Sequence, residues 1–302
     1  MKLSKTREEL IKMYIEALEQ NDIPWRCRWI NENNKNGISG LEYSGINKLI
    51  LNYVSYKEKY SDNRWYTYKQ IKDLRLKLKD AVGKGVPVEF WSAYNYKLKE
   101  KFNLADYEKY ILQHPDSKND FRIISRTAIV FNGSLVDGLP KQNKSSNKIR
   151  PLKQIDNMLK SLEVEYEECG NRAYYIPLED KIMLPTREKF IDEYSYYATQ
   201  IHEICHATGH KSRLNREVNI KDKIEYAREE LIAEISSSFL MQELKIPAFA
   251  EHYDNHKSYI NSWLQLFKEK PQELFKAISE SNKVENFINE KCKNRNKERD
   301  RW

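Results

Sequence analysis

Residues 196–216 read YYATQIHEICHATGHKSRLNR and contain the H-E-x-x-H pattern of His202, Glu203 and His206. Four residues are slightly more than one helical turn, so a helix would project both histidines from one face. Two imidazoles placed in this way can hold one metal ion, and the glutamate beside the first can take a proton from water. The stretch before Gly209 lacks glycine and proline, which predicts a helix that ends near Gly209. The alternative is a pair of structural histidines on an amphipathic helix.

A metal site of this type needs a third protein ligand. A third histidine in the pattern H-E-x-x-H-x-x-G-x-x-H would occupy the position of Ser212, so that pattern is excluded. The remaining common solution is a glutamate from the next helix, and residues 226–243 lack glycine and proline. Glu230 and Glu234 are four residues apart and share a helix face. We predict Glu230 as the ligand and Glu234 as the residue that orients a ligand histidine. Glu234 as the ligand and an ordinary charged helix face are the alternatives, and Glu229 is interpreted as a solvated acid.

Charge is unevenly distributed along the 302 residues, which carry a net charge of +7. Residues 1–150 contain 28 Lys and Arg against 18 Asp and Glu, whereas residues 151–302 contain 24 against 27. A basic half beside a mildly acidic half that holds the metal motif suggests a polyanion-binding module joined to an enzyme module. A solvated basic surface is the alternative explanation for the charge.

The sequence also indicates the cellular compartment. Residues 1–19 are charged throughout, which predicts no signal peptide, and no apolar run is long enough to span a membrane. The four cysteines, at positions 27, 169, 205 and 292, show no paired spacing. We therefore expect a cytoplasmic protein that does not enter a membrane.

Aromatic residues alternate with cations in the first part of the basic half. Single-stranded nucleic acid needs both, because rings stack on unpaired bases and cations follow the phosphates. About half of these rings are expected to fill the protein core instead. The residues predicted to contact DNA are Trp25, Arg26, Arg28, Tyr43, Lys48, Tyr53, Lys57, Arg64, Trp65, Tyr66 and Lys69.

The overall pattern predicts an α+β protein with two domains. Residues 1–140 are predicted to form a mixed α+β domain, residues 141–150 a polar linker, and residues 151–302 a mostly helical domain with a small sheet. Expected elements of the first domain are a helix over 66–78 and strands over 86–91 and 121–132. Expected strands of the second domain cover 164–168, 173–177 and 181–184.

Several stretches, in order along the chain, resemble the ArdC-type antirestriction proteins of conjugative plasmids and phages. They include IPWRCRW (23–29), YSGINKLIL (43–51), KGVPVEFW (84–91), AIVFNGSLVDGL (128–139), the H-E-x-x-H stretch itself and EYAREELIAEISSSFL (225–240). The resemblance implies an N-terminal single-stranded-DNA-binding domain joined to a zincin-like metallopeptidase domain. It also implies a mobile-element protein that protects incoming DNA from host restriction.

We expect Zn²⁺ to be held by His202, His206 and Glu230, with Glu203 as the general base that activates water for attack on a peptide carbonyl. Tyr196, Tyr197 or His210 could stabilise the oxyanion, and a structural role beside the site is equally expected for His210.

Two rival functions stay open from the sequence. One is a non-catalytic single-stranded-DNA-binding protein with a structural metal. The other is a protease that trims proteins crosslinked to DNA. The expected partners are single-stranded DNA and a protein substrate, either a component of the restriction machinery or another DNA-bound protein.

Overall fold

The computed structural model describes residues 3–24, 33–140, 142, 151–190, 192–216, 222–244, 246 and 257–299. The helices in these ranges are α1 (Lys5–Glu19), α2 (Gly45–Lys57), α3 (Tyr68–Asp73), α4 (Leu104–Gln113), α5 (Pro151–Leu162), α6 (Glu193–Ala207), α7 (Lys223–Glu243), α8 (Lys257–Glu269) and α9 (Gln272–Arg299). The strands are β1 (Lys35–Asn36), β2 (Arg64–Thr67), β3 (Lys77–Leu78), β4 (Val86–Asn95), β5 (Glu100–Asn103), β6 (Phe121–Asn132), β7 (Val136–Asp137), β8 (Glu165–Glu168), β9 (Tyr174–Ile176) and β10 (Lys181–Leu184). The α+β class predicted from the sequence is confirmed.

The chain forms two compact units. The helical unit comprises the described residues of Met1–Lys35, Glu42–Asn63 and Lys141–Trp302, and the sheet unit comprises Asn36–Leu41 and Arg64–Pro140. Helices α1 and α2 therefore group with the residues that follow position 150. This grouping differs from the domains predicted at 1–140 and 151–302. The predicted linker at 141–150 lies outside the described residues, apart from Gln142.

Buried polar contacts explain why α2 belongs to the helical unit. Lys48 of α2 forms an ion pair with Glu285 of α9, with 2.5 Å between Nζ and Oε1, and both residues are buried. The Asn52 side chain donates to Gln242 Oε1 of α7 at 2.9 Å and accepts from Asn34 at 2.7 Å. Because buried polar groups are costly unless they are paired, these contacts fix α2 against α7 and α9.

Helices α6 and α7 form the centre of the helical unit. Asp192 caps the start of α6, since its carboxylate accepts the Ser195 N–H at 2.8 Å. The helix ends at Ala207, just before the predicted stop at Gly209. Helix α7 begins after the cap Asp222 and is buried along most of its length. A helix buried on all sides needs no single apolar stripe, and it can carry polar side chains into the interior when they find partners.

A small sheet of order β8-β10-β9 precedes α6 in the chain. Its strands lie at the positions predicted from the sequence. The central strand β10 runs parallel to β8 and antiparallel to β9, and its residues Ile182 and Leu184 are fully buried. Strand β9 is therefore an edge of this sheet.

The sheet unit is built on a five-stranded sheet of order β1-β2-β6-β4-β5. Strands β4 and β6 pair antiparallel over ten residues, from Val86 opposite Val130 to Asn95 opposite Phe121. The observed β6 has the bounds predicted for a strand at 121–132. Helix α4 packs on one face of the sheet, where Tyr107 and Tyr110 make edge-to-face contacts with Phe121.

The helix predicted over residues 66–78 is wrong. Tyr66 lies in β2, the helix α3 covers only Tyr68–Asp73, and the chain then enters β3. Thr67 and Gln70 form a reciprocal capping box that starts the helix after Tyr66. Arg75 adopts a left-handed backbone conformation, with φ of 59°, which ends the helical path.

In the parts of the chain that the structure describes, no helix combines the length and the apolar character needed to cross a membrane.

Candidate metal centre

Helix α6 presents the two histidines of the motif on one face, as the four-residue spacing predicts. The Nε2 atoms of His202 and His206 are 3.1 Å apart, and the two rings are nearly perpendicular. Each side chain is largely buried. Two imidazole nitrogens that converge in this way in a sheltered site suit coordination of one ion.

Helix α7 places the carboxylate of Glu230, the residue predicted as the third ligand, beside both histidines. Glu230 Oε2 lies 3.6 Å from His202 Nε2, and Glu230 Oε1 lies 3.7 Å from His206 Nε2. The donor atoms of His202, His206 and Glu230 all lie within 4.8 Å of one another, an arrangement that could hold a metal ion. The donor set of two imidazoles and one carboxylate fits a divalent transition metal.

Glu203 lies in the same site but is held differently from the three donors. Its carboxylate is buried, and it accepts a hydrogen bond from the backbone N–H of Tyr175 in the edge strand β9. Burial raises the pKa of the Glu203 carboxyl; the charge of Glu230 adds to this increase, and the two histidines oppose it. A carboxyl with a raised pKa is suited to accept a proton near neutral pH and to release it again.

Glu229 is a member of the site that the sequence analysis missed. The prediction of a solvated acid is wrong, because Glu229 is buried and its Oε1 lies 3.2 Å from His206 Nδ1. Arg216 donates to both carboxylate oxygens of Glu229, at 3.1 and 2.8 Å. No local sequence pattern distinguishes Glu229 from its neighbours. Its contact with His206 depends on Arg216, which lies after α6 in the sequence and donates to Glu229 in the folded chain.

The charges around His206 are strongly coupled. Burial disfavours the charged imidazole, but the hydrogen bond to Glu229 and the charge of Glu230 outweigh it and raise the pKa of His206 to about 9. Burial likewise disfavours ionised Glu229, yet His206 and Arg216 hold the pKa of that carboxyl at about 2. The site therefore favours a positive charge between its carboxylates, which a metal ion would supply.

Glu234 and His210, both predicted to support the ligands, lie in different surroundings. Glu234 is almost fully buried, and its Oε1 lies 3.5 Å from His202 Nδ1, the nitrogen that points away from the other donors. His210 instead contacts Ser212 Oγ at 2.8 Å and lies 3.8 Å from Asp180. Glu234 is thus placed to orient His202, whereas the contacts of His210 are with residues outside the ligand set.

The tyrosines considered for oxyanion stabilisation have other partners. The Tyr196 hydroxyl donates to Glu168 at 2.7 Å, and the Tyr197 hydroxyl donates to Glu193 at 2.8 Å. A different pair, Tyr226 and Tyr259, has hydroxyl oxygens 3.1 Å apart. The Tyr226 hydroxyl also hydrogen-bonds Glu230, which places this phenol beside the ligand set.

Of the eight residues predicted to contact DNA that the structure describes, five are buried. Lys57 and Lys69 are exposed, and the guanidinium of Arg64 donates to the carbonyl of Pro140 at 2.7 Å. Trp25, Arg26 and Arg28 lie outside the described residues. The remaining residues are at least nine-tenths buried and cannot stack on bases or reach phosphates in this structure: Tyr43, Lys48, Tyr53, Trp65 and Tyr66.

Two sequence families cover most of the chain. Residues 4–131 match the family described as the N-terminal domain of anti-restriction factor ArdC. Residues 153–280 match the family described as zincin-like metallopeptidase.

Solved structures and curated proteins show the same likeness. Two crystal structures of the antirestriction ArdC protein from the R388 plasmid, at 27% identity, each cover 96% of this chain. The metal-free structure has a TM-score of 0.74 over 99% of that protein, and the Mn(II)-bound structure has 0.75 over 98%.

The DNA primase TraC of Escherichia coli is 32% identical over 93% of this chain, which spans only 20% of the primase. An uncharacterized protein of Sinorhizobium fredii, y4eC, is 26% identical over 93% of this chain and 90% of its own length.

Proposed function

Because this chain belongs to the ArdC-type antirestriction proteins, we propose that it binds single-stranded DNA and hydrolyses peptide bonds at its metal centre. The observation that carries the catalytic part is the convergence of His202, His206 and Glu230 beside a buried Glu203. Each of these residue types has a defined task in metal-assisted hydrolysis.

We assign His202, His206 and Glu230 as the ligands and zinc as the metal. Two imidazoles and one carboxylate with an open fourth position are typical of hydrolytic zinc sites. A divalent ion is also bound by the similar R388 protein, in which it is Mn(II). When bound, such an ion supplies Lewis acidity, which lowers the pKa of water and polarises a carbonyl.

Glu203 is the proposed general base. Its raised pKa allows the carboxylate to accept a proton from the attacking water and to pass that proton to the leaving amine. The N–H of Tyr175 fixes one side of the carboxylate, which limits its rotation and keeps it directed at the same point.

Glu229 and Glu234 orient the ligands in this proposal. Each carboxylate faces the Nδ1 atom of one histidine, which leaves the Nε2 atoms facing each other. A hydrogen bond from Nδ1–H to a carboxylate fixes the tautomer and the ring orientation and makes Nε2 a better ligand.

The proposed donor to the developing oxyanion is the hydroxyl of Tyr226. This hydroxyl already interacts with the ligand Glu230 and is part of a partly exposed pair with Tyr259. Tyr196 and Tyr197 are less suited to this role because their hydroxyls are bonded to Glu168 and Glu193.

An extended peptide is the substrate class that fits the surroundings of Glu203. Strand β9 is the edge of its sheet and contacts α6 through the bond from Tyr175 to Glu203. Edge strands recognise peptides through their backbone groups. The protein substrate would be a component of the restriction machinery or another protein bound to DNA.

The test of the catalytic part is the Glu203→Gln variant. This change keeps all three metal ligands and removes the base, so metal content should stay at the wild-type level. Cleavage of proteins mixed with single-stranded DNA should fall by about 100-fold or more. Metal analysis, a gel-based cleavage assay and plasmid transfer into a restricting host measure the three properties.

The matched control is Glu290→Gln, which removes one exposed carboxylate from α9. It should cleave and protect DNA as the wild type does. Full cleavage by Glu203→Gln would contradict the mechanism. Full protection of DNA by a variant that has lost cleavage would instead support a structural metal.

A further inference from the structure

The paired strands β4 and β6 give the sheet unit two chemically different faces. Side chains alternate between the faces along a strand, and residues directly opposite each other share a face. Phe90 is opposite Arg126, and Tyr94 is opposite both Arg122 on β6 and Lys101 on β5. We call these five residues the cationic face: Phe90, Tyr94, Lys101, Arg122 and Arg126.

The contacts of helix α4 show which face of the sheet the helix covers and which face it leaves open. Phe102 and Phe121 contact the α4 residues Tyr110 and Tyr107, so their side chains point to the covered face. Lys101 and Arg122 are their immediate neighbours in the strands and therefore point to the other side. The cationic face is the one that α4 leaves open.

The three cations of this face are available to a ligand. Lys101, Arg122 and Arg126 are exposed, and within the described residues none of their side chains makes an ion pair or a hydrogen bond. No acidic residue occupies the same face of β4, β5 or β6. The opposite face carries two, Glu89 and Glu100. The cationic face is thus electrostatically suited to bind an anion, whereas the opposite face is not.

Aromatic rings stand between the cations. Phe90 is 47% exposed, which is unusual for a ring in the middle of a ten-residue strand. Tyr94 is half-buried and makes an edge-to-face contact with the 53% exposed Tyr96, with 5.5 Å between ring centres. Rings that keep an open surface beside unpaired cations provide both parts of a single-strand site.

We propose that the cationic face is where the single-stranded DNA of the proposed function binds. Phe90 and Tyr94 would each stack on one unpaired base, while Arg122, Arg126 and Lys101 contact phosphates. The two rings are four residues apart on one strand, or about 13 Å, so they would take separate bases of an extended strand. Duplex DNA would be a poor ligand because its bases are already stacked.

This inference rests on the proposed function and adds the place of binding. The experiment measures binding of a labelled oligothymidylate of about 20 nucleotides, longer than the ~4–16 that one such site covers. The full-length protein is compared with Phe90→Ala, with the double variant Arg122→Ala/Arg126→Ala and with the double variant Lys109→Ala/Lys118→Ala. Lys109 and Lys118 are exposed cations of the same unit outside the cationic face, so this last variant controls for net charge.

Phe90→Ala should weaken binding by about 5-fold to about 150-fold, the effect of losing one stacked base. The double arginine variant should weaken binding and reduce the slope of log K against log salt by about 1.4, since each single-strand phosphate contact contributes about 0.7. The lysine control should stay within about twofold of the wild type. Thermal unfolding of every variant should match the wild type, because all the changed side chains are exposed.

Each result decides the matter. If the wild type binds and the cationic-face variants bind as tightly as the lysine control, the location is wrong while the proposed function stands. A wild type that does not bind the oligonucleotide at all would overturn the DNA-binding part of the proposed function, and this inference with it.

Discussion

The carboxylate of Glu229 is shared between one histidine and one arginine. Arg216 donates to both of its oxygens and also to the carbonyl of Cys205 and the hydroxyl of Thr208. The guanidinium therefore fixes the carboxylate, and the carboxylate fixes the ring of His206. The orientation of His206 therefore depends, through Glu229, on Arg216 in the segment that follows α6.

Replacement of Glu229 by glutamine should weaken metal binding by about 10- to 100-fold, the usual effect of losing a carboxylate that orients a histidine ligand. Competition with a coloured chelator measures this affinity. Glu290→Gln serves again as the control and should leave the affinity unchanged. An affinity of Glu229→Gln within twofold of the wild type would show that the Glu229 carboxylate does not orient His206 for metal binding.

Helix α7 carries three glutamates whose side chains point to the same two histidines. Glu229 reaches His206, Glu230 lies between the rings, and Glu234 reaches His202. Residues four apart in a helix lie on one face, and residue 229 adjoins that face. The six residues 229–234 of α7 thus carry the proposed ligand and both carboxylates proposed to orient the histidines.

A second ion pair, in addition to Arg216 with Glu229, holds the segment after α6 in place. Asp180, just before β10, pairs with Arg213, which also donates to the carbonyls of Ala207 and Leu162 at 2.7 and 3.1 Å. Tyr175 of β9 donates to Asp180 at 2.7 Å. The end of α6, the edge strand and the end of α5 are therefore joined through the ion pair of Arg213 and Asp180.

Low pH should weaken the ion pair of Asp180 with Arg213 and lower the stability of the protein. Burial raises the pKa of Asp180, but the bonds from Arg213 and Tyr175 outweigh it and hold the pKa below the ordinary value of 3.8. A lowered folded-state pKa contributes stability above about pH 4 that is lost as pH falls through the folded value. Asp180→Asn should cost about 1–3 kcal/mol at neutral pH and should show a smaller further loss than the wild type as pH falls below about 4.

Denaturant midpoints at pH 3, 4, 5 and 7 measure this effect. Asp156→Asn, at an exposed position on α5, is the matched control and should follow the wild-type pH dependence. Parallel curves for Asp180→Asn and the wild type would show that the carboxylate contributes nothing to acid sensitivity.

Two buried polar contacts connect distant parts of the helical unit. Lys48 and Glu285 are 237 residues apart in the sequence, and Asn52 and Gln242 are 190 apart. Lys48 Nζ also lies 4.5 Å from the centre of the Phe239 ring. Burial nevertheless raises the pKa of Glu285 despite the adjacent ammonium, so desolvation is the larger effect at this pair.

Lys48→Met should destabilise the protein by about 3–5 kcal/mol, because it leaves the Glu285 carboxylate buried without its cation. The double variant Lys48→Met/Glu285→Met should recover most of that loss, since well-packed apolar residues often replace a buried ion pair at little cost. Urea unfolding measures both variants. A double variant less stable than Lys48→Met would show that the pair is net stabilising.

The residues proposed as metal ligands could be picked out from the sequence because helical spacing sets which side chains share a face. To place His202, His206 and Glu230, only two helices had to be predicted. The absence of glycine and proline within each helical stretch indicated both helices. Glu229 was not predictable, because its burial depends on Arg216, a residue outside both helices.

The residues proposed to contact DNA, in contrast to the metal-site residues, could not be predicted from the sequence. Composition identifies a region rich in rings and cations but does not say which side chains face water. Trp65 and Tyr66 are both buried, and Lys48 is paired inside the helical unit. The cationic face became visible only from the register of β4 on β6, because Phe90 and Arg126 are far apart in the sequence.

The two units are interleaved along the chain, and this limits how the gene can be rearranged. The helical unit is encoded on both sides of the sheet unit, so a recombination breakpoint near codon 140 would separate Lys48 from Glu285 and Asn52 from Gln242. An exchange that keeps these two contacts would move the whole stretch together. The similarity to TraC has that extent, since it runs through 93% of this chain while occupying a fifth of the primase.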